Sequence, residues 1–239
     1  MRIDFPTPLT PGRLIRRYKR FLADVVLDDG EQIVTAHCVN TGRMTSCSEE
    51  GSRVWLLPAP PNSKRKLQWT WVMIEVAEGQ IAGVHTSYPN ALVAGALELG
   101  EIPPLDGYEN IRREVKMSDK SRVDVLLSGH SEKPNCWVEV KNVSMVHDGV
   151  ARFPDAVTVR GRKHLDELMS KVEGGERAAM VYVVQRPDAT HVEPADDVDK
   201  EYGKALRTAM QYGVESYALR VKATPNYLET AEMLSVELP

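Results

Sequence analysis

Cysteine is scarce and badly spaced for metal or disulfide work. Cys38, Cys47 and Cys136 are the only three, and no two form a CxxC pair. This pattern argues against a zinc ribbon or a disulfide framework and predicts reduced thiols in a reducing compartment. Long apolar runs are also missing, none approaching the ~18 residues a membrane helix needs. The opening "MRIDFPTPLTPGRL" is cut by three prolines and lacks the apolar centre of an export signal, so the expected location is the cytoplasm, with no membrane partner. Nor is there the basic excess usual in proteins that coat nucleic acid: 30 Lys and Arg face 34 Asp and Glu, a formal net charge of −4.

What is there is unevenly distributed. Residues 1–89 hold 11 Lys and Arg against 9 Asp and Glu, whereas residues 90–239 hold 19 against 25. Within the first part, "GRLIRRYKRF" gathers Arg13, Arg16, Arg17, Lys19 and Arg20 around Tyr18 and contains no acid. A chain of 239 residues favours two domains over one. From residue 12 to about 86, short runs alternate apolar and polar residues with little helical periodicity, and Asp29-Gly30 sits where a two-residue hairpin turn belongs. Roughly five strands follow, a small barrel or sandwich, in which Trp55, Trp69 and Trp71 are read as core.

The character changes near residue 88, which divides the chain into 1–88 and 89–239. Asn90 is placed to cap a helix carrying Leu92, Val93, Ala96 and Leu97. Three strand-like runs follow, "IRREVKMS", "RVDVLLS" and "CWVEVKNVS". After a loop "MVHDGVARFPD" come a helix with Leu165, Leu168, Met169 and Val172 on one face, an apolar strand at "RAAMVYVVQR", a helix at "DKEYGKALRTAMQYG" and a last strand at "ESYALRV".

The chemistry lies in the charged centres of two apolar strands. Because side chains alternate, Asp124 shares a face with Arg122, and Glu139 shares one with Lys141; pairing of the two runs as a hairpin puts both carboxylates and the lysine together. Two carboxylates suit a hard cation such as Mg²⁺ or Mn²⁺, and a lysine beside them suits charge growing on a phosphate. Asp124, Glu139 and Lys141 are therefore the expected catalytic set, with Asp124 and Glu139 as metal ligands and Glu114 as an extra one. The acid-x-Lys spacing itself is weak. It occurs twice, at Glu114-Val115-Lys116 and Glu139-Val140-Lys141, about as often as chance gives. Arg160, Arg162 and Lys163 open a helix whose free N–H groups favour phosphate; Arg43, Lys64, Arg65 and Lys66 extend the basic track of the barrel. His164 is read as structural, and Asp155 as a helix cap or a support for the site.

"SRVDVLL", "CWVEVKNVS", "ARFPDAVTVRGRKHLDEL" and "NTGRM", with the basic "RRYKRF", resemble the sugar fermentation stimulation protein (SfsA) family over essentially the whole chain. The resemblance implies an N-terminal OB-fold-like barrel and a C-terminal α/β domain with a mixed sheet, like the PD-(D/E)xK nucleases. It also implies a DNA partner and a role in expression of sugar (maltose) utilisation genes. On that pattern Asp124 and Glu139 match the metal carboxylates and Lys141 the catalytic lysine, although Val123 stands where a proline often precedes the first acid. Three readings stay open: a DNA-binding regulator, a working Mg²⁺-dependent nuclease on DNA or RNA, and a single-strand-binding module with a relic site. Oligomeric state is open too, a homodimer among the options.

Overall fold

The computed structural model describes residues 1–239 other than 31 and 120. Seven strands come first: β1 (Arg2–Asp4), β2 (Thr10–Tyr18), β3 (Leu22–Leu27), β4 (Ile33–Cys38), β5 (Arg53–Pro58), β6 (Trp69–Ala77) and β7 (Gln80–Gly83). Strands β4-β3-β2-β5-β6 pair in that order, and a parallel pairing of β4 with β6 (Ala36 to Trp69, Cys38 to Trp71) closes the ring, with β7 flanking β6. The alternation that predicted strands fills it: Ala23, Val25 and Leu27 of β3 and Val34, Ala36 and Cys38 of β4 point inward on a fully buried Trp71. This is the expected OB-like barrel.

Two local expectations differ. The β3–β4 turn is longer than two residues, since the bond that closes it runs from Leu27 N–H to the Gln32 carbonyl. The first strand does not belong to the barrel at all: β1 pairs with the last strand of the other sheet, Ile3 opposite Leu228.

After the 84–87 connection come α1 (Tyr88–Glu98), β8 (Asn110–Ser118), β9 (Ser121–Ser128), β10 (Cys136–Val143), β11 (Met145–His147), β12 (Val150–Phe153), α2 (Val159–Glu173), β13 (Arg177–Val184), β14 (His191–Pro194), α3 (Lys200–Gln211), β15 (Glu215–Ala223) and β16 (Tyr227–Val236). They build one mixed sheet, ordered β11-β12-β14-β16-β15-β13-β10-β9-β8. At its centre β10, β13 and β15 run parallel, and β13 is apolar and buried on both faces, as a covered parallel strand must be. The expected loop at 145–155 contains the hairpin β11–β12, turned by Asp148 and Gly149, both with positive φ (51° and 78°).

Both faces of the sheet are covered. Leu92, Val93, Ala96 and Leu97 of α1 pack on Val125, Val138, Val140 and Val181, and Trp55, Val72 and Met73 of the barrel join the same core. Leu165 and Leu168 of α2 and Tyr202 and Leu206 of α3 pack on Trp137, Met180 and Tyr182 from the other side. Among the described residues no helix is long and apolar enough to cross a membrane.

The barrel–α1 junction carries a pH-sensitive group. His85 has its pKa lowered to about 4 by burial, with His37 and Arg65 adding same-sign charge. An unfolded histidine titrates near 6.5, so between about 6.5 and 4 the unfolded chain binds the extra proton. The stability contributed by a neutral His85 is therefore complete above about pH 6.5, falls as the pH drops towards 4, and changes no further below. The full loss is about 3 kcal/mol. Urea midpoints at pH 7 and pH 4.5, compared between the parent and His85→Gln, check it; an equal acid loss in both proteins would assign that loss elsewhere.

Candidate metal and phosphodiester site

The β9–β10 ladder pairs Leu127 with Cys136, Leu126 with Trp137 and Val125 with Val138, and there it stops. One step further Asp124 and Glu139 face each other. Val140 N–H, which a regular ladder would give to a backbone carbonyl, is taken by Asp124 Oδ2 at 2.7 Å. The carboxylate thus wedges the strands apart where the chemistry is expected. Its other oxygen accepts from Asn90 Nδ2 at 2.7 Å. Asn90 lies inside α1 and is not its cap, which is Ser87; Pro89 in the first turn starts the helix earlier than the local pattern suggested. Burial raises the Asp124 pKa to about 6, helped by the charge of Glu139 and opposed by Val140 N–H, Lys141 and Asn90.

Glu139 is 2% exposed, so this face of the sheet is no solvated surface. Its Oε1 accepts from Lys141 Nζ at 2.6 Å and contacts His164 Nδ1. Burial alone would raise its pKa, but the hydrogen bond from His164 and the positive charge of Lys141 outweigh burial and hold it below the usual carboxylate value. His164, read from the sequence as structural, comes from α2 and is buried against the site; Arg160 Nε donates to its Nε2 at 3.2 Å, which leaves Nδ1 to carry the proton that faces Glu139. Glu139 Oε2 is buried and has no hydrogen-bond partner among the described residues. A bare carboxylate oxygen in a protein interior is costly unless a cation or donor meets it.

Two clefts meet at this point. One, of about 510 Å³, lies between the barrel and the second domain, walled by Arg20 and the 40–42 loop on one side and by 152–161 on the other, with Lys141 at its base. The other, of about 800 Å³, runs between β8, β9 and α2 and is lined by Asp124, Glu114 and His164. Asn90 and Arg160 line both.

The remaining predicted residues divide. Glu114, expected as an extra ligand, is exposed on the second cleft with left-handed backbone, φ 52°. It does not close a trio with Asp124 and Glu139: among the described residues the one trio of ligand atoms within 4.8 Å of one another is His191, Glu193 and Glu237, on β14 and just beyond β16, outside both clefts. Arg20 and Arg160 reach the first cleft and Lys163 the second, where it pairs with Glu167 at 3.6 Å. Lys19, Arg43 and Lys66 are exposed. Arg13 donates to the Gly51 carbonyl and lines a separate hollow, Arg16 pairs with Asp24 at 2.9 Å, and Arg65 binds Thr70. Two expected phosphate binders are otherwise engaged. Arg162 is tied to the buried Asp199 at 3.0 Å, and Arg17 is spent on backbone carbonyls. Asp155 does not cap α2, whose cap is Thr158; it accepts from Met44 N–H of the barrel at 3.4 Å.

Comparison with known proteins agrees with this layout. Residues 15–84 match the family described as the SfsA N-terminal OB domain, and residues 87–227 the one described as the sugar fermentation stimulation protein RE domain. A sugar fermentation stimulation protein homolog of Alkalilimnicola ehrlichii is 52% identical over 238 residues, covering 98% of this chain and 99% of that one. One of Rhodospirillum rubrum is 52% identical over 231 residues, covering 92% and 93%. The solved structure of Pyrococcus furiosus SfsA in complex with Ca²⁺ superposes with a TM-score of 0.86 at 27% identity, covering 99% of each chain.

Proposed function

Since the chain belongs to the sugar fermentation stimulation protein family, we propose that it binds nucleic acid and hydrolyses phosphodiesters with a divalent cation, Mg²⁺ or Mn²⁺, held by Asp124 and Glu139. The observation that carries this reading is the buried Oε2 of Glu139, unpartnered among the described residues, beside a second carboxylate. An all-oxygen pair suits a hard cation that fills its remaining positions with water and substrate phosphate. A relative of the same fold was solved with Ca²⁺, a cation of that kind. When bound, such a cation polarises the phosphoryl oxygen and lowers the pKa of a water.

The protein's own groups do the rest. Val140 N–H and Asn90 hold Asp124 in one orientation; His164, itself held by Arg160, does the same for Glu139. Lys141 stands at the base of the first cleft, where its ammonium orients a water or offsets charge growing on the phosphate. Arg160, at the junction of the clefts, is placed for a neighbouring phosphate.

A second reading has its own observation. Lys141 and His164 already compensate Glu139 Oε1 without any metal, an arrangement that suits a protein which only binds DNA and acts on genes of sugar use, as the relatives' name suggests. Labelled DNA and RNA incubated with Mg²⁺ or Mn²⁺ separate the two. Cleavage by the parent and none by Asp124→Ala supports the hydrolase; uncut substrate retained equally by both proteins supports the binder.

A further inference from the structure

The barrel's share of the first cleft comes from two loops, and one side chain ties them together. Arg17 donates to the carbonyls of Arg20 (3.1 Å), Asn40 (2.9 Å), Gly42 (2.8 Å) and Arg43 (3.1 Å). The first belongs to the tip of the β2–β3 hairpin, the other three to the loop after β4. At that tip Lys19 and Arg20 both adopt left-handed backbone, φ 49° and 62°. Reversing a chain does not require this: glycine or asparagine would do it without the steric cost that a longer side chain meets there. The strained pair is held by Arg17 and leaves three exposed side chains in a row, Lys19, Arg20 and Phe21. Phe21 is 50% exposed and, among the described residues, the barrel's one exposed aromatic, Trp55 and Trp71 being buried. Arg20 lines the cleft, and on the opposite wall Val157 is 62% exposed.

We infer that this tip is a stacking platform for an unpaired base, and that the nucleic acid the protein takes is single-stranded, its backbone running along the cleft towards Lys141. The end point of that path rests on the hydrolase reading; the platform does not. An aromatic face between cations accepts any base that has left its helix, and a base inside a duplex has no free face. The cleft agrees in size, since about 510 Å³ suits a nucleotide-sized group. Charge agrees as well. A net charge of −4 gives little general attraction for a duplex, whereas the exposed Lys19, Arg20, Arg43 and Arg160 suit a short run of phosphates.

Fluorescence anisotropy with single-stranded DNA, single-stranded RNA and duplex DNA of about 12 nucleotides, in EDTA so that no cleavage intervenes, tests it. Single strands should bind at least about tenfold more tightly than the duplex, with affinity falling with salt at a log–log slope of about −3 for four phosphates. Phe21→Ala should weaken single-strand binding about tenfold or more, and Phe21→Trp should restore it where Phe21→Leu does not. The thermal midpoints of these variants should stay at the parent's, because the ring is exposed. Equal or tighter duplex binding, or a Phe21→Ala variant with unchanged affinity, overturns the inference, and the DNA and RNA arms show which sugar is preferred. Strong single-strand binding that depends on Phe21, without cleavage by any metal, would leave the platform standing and remove the hydrolase reading.

Discussion

Glu139→Gln is expected to abolish divalent-metal binding and cut metal-dependent cleavage at least about a thousandfold, while Lys141→Ala loses cleavage by about a hundredfold or more and binds the metal no less tightly than the parent. The two variants part because of what each leaves behind. The amide that replaces the Glu139 carboxylate keeps its shape but not its charge; one of two ligands is gone, and Lys141, whose side chain is 13% exposed, loses the carboxylate that compensates it. Removing Lys141 instead frees Glu139 Oε1 from its 2.6 Å contact, so a cation competes with one donor fewer for that oxygen. Titration calorimetry with Mg²⁺ or Mn²⁺ reads the first quantity and single-turnover cleavage the second. A Lys141→Ala variant that cleaved like the parent would strip the lysine of its role. A Glu139→Gln variant that still bound metal at parental affinity would place the ion elsewhere.

That Asp124 lies near Glu139 and Lys141 was legible because hairpin pairing is a short-range rule: a β9–β10 ladder that sets Val125 opposite Val138 brings the two acids opposite each other, although the expected alternation breaks there, Val123 packing on the α2 side of the sheet and Val125 on the α1 side. What encloses them was not legible. The burial of Glu139 depends on α2 crossing that face and delivering His164, a contact between residues 25 apart that no local period encodes. Asn90 misleads for the same reason, since a local rule assigns it to a cap while its real partner, Asp124, lies 34 residues on. Arg17 looks like its basic neighbours, and only the fold shows its donors turned to carbonyls. The β11–β12 hairpin is a different sort of miss: Asp148-Gly149 is a strong turn signal, masked because its flanking strands are only three and four residues long. The pairing of β1 with β16, at opposite ends of the chain, left no trace in either segment.

Arg186→Ala is expected to cost about 3 kcal/mol of stability, or roughly 6–12 °C in Tm, although the residue touches neither carboxylate. Arg186 is 4% exposed and joins the two domains. Its Nη1 donates to the Ser46 carbonyl of the barrel (2.7 Å) and to the Ser144 carbonyl next to β10 (3.3 Å), while Nε and Nη2 clamp both oxygens of Asp188 (2.9 and 2.7 Å). Truncation leaves the part-buried Ser46 carbonyl without this donor, the buried Ser144 carbonyl with only the 3.4 Å bond from Ser46 Oγ, and a part-buried carboxylate without its cation. Adding Asp188→Asn should recover about 1 kcal/mol, because it removes the uncompensated charge but cannot supply the missing donors. Urea unfolding of parent, single and double variants measures both quantities. A single variant within about 1 kcal/mol of the parent, or a double variant less stable than the single one, would show that the guanidinium is not what holds the interface. The same truncation should weaken nucleic-acid binding with every site residue intact, since Ser144 lines the cleft whose two walls Arg186 keeps in register.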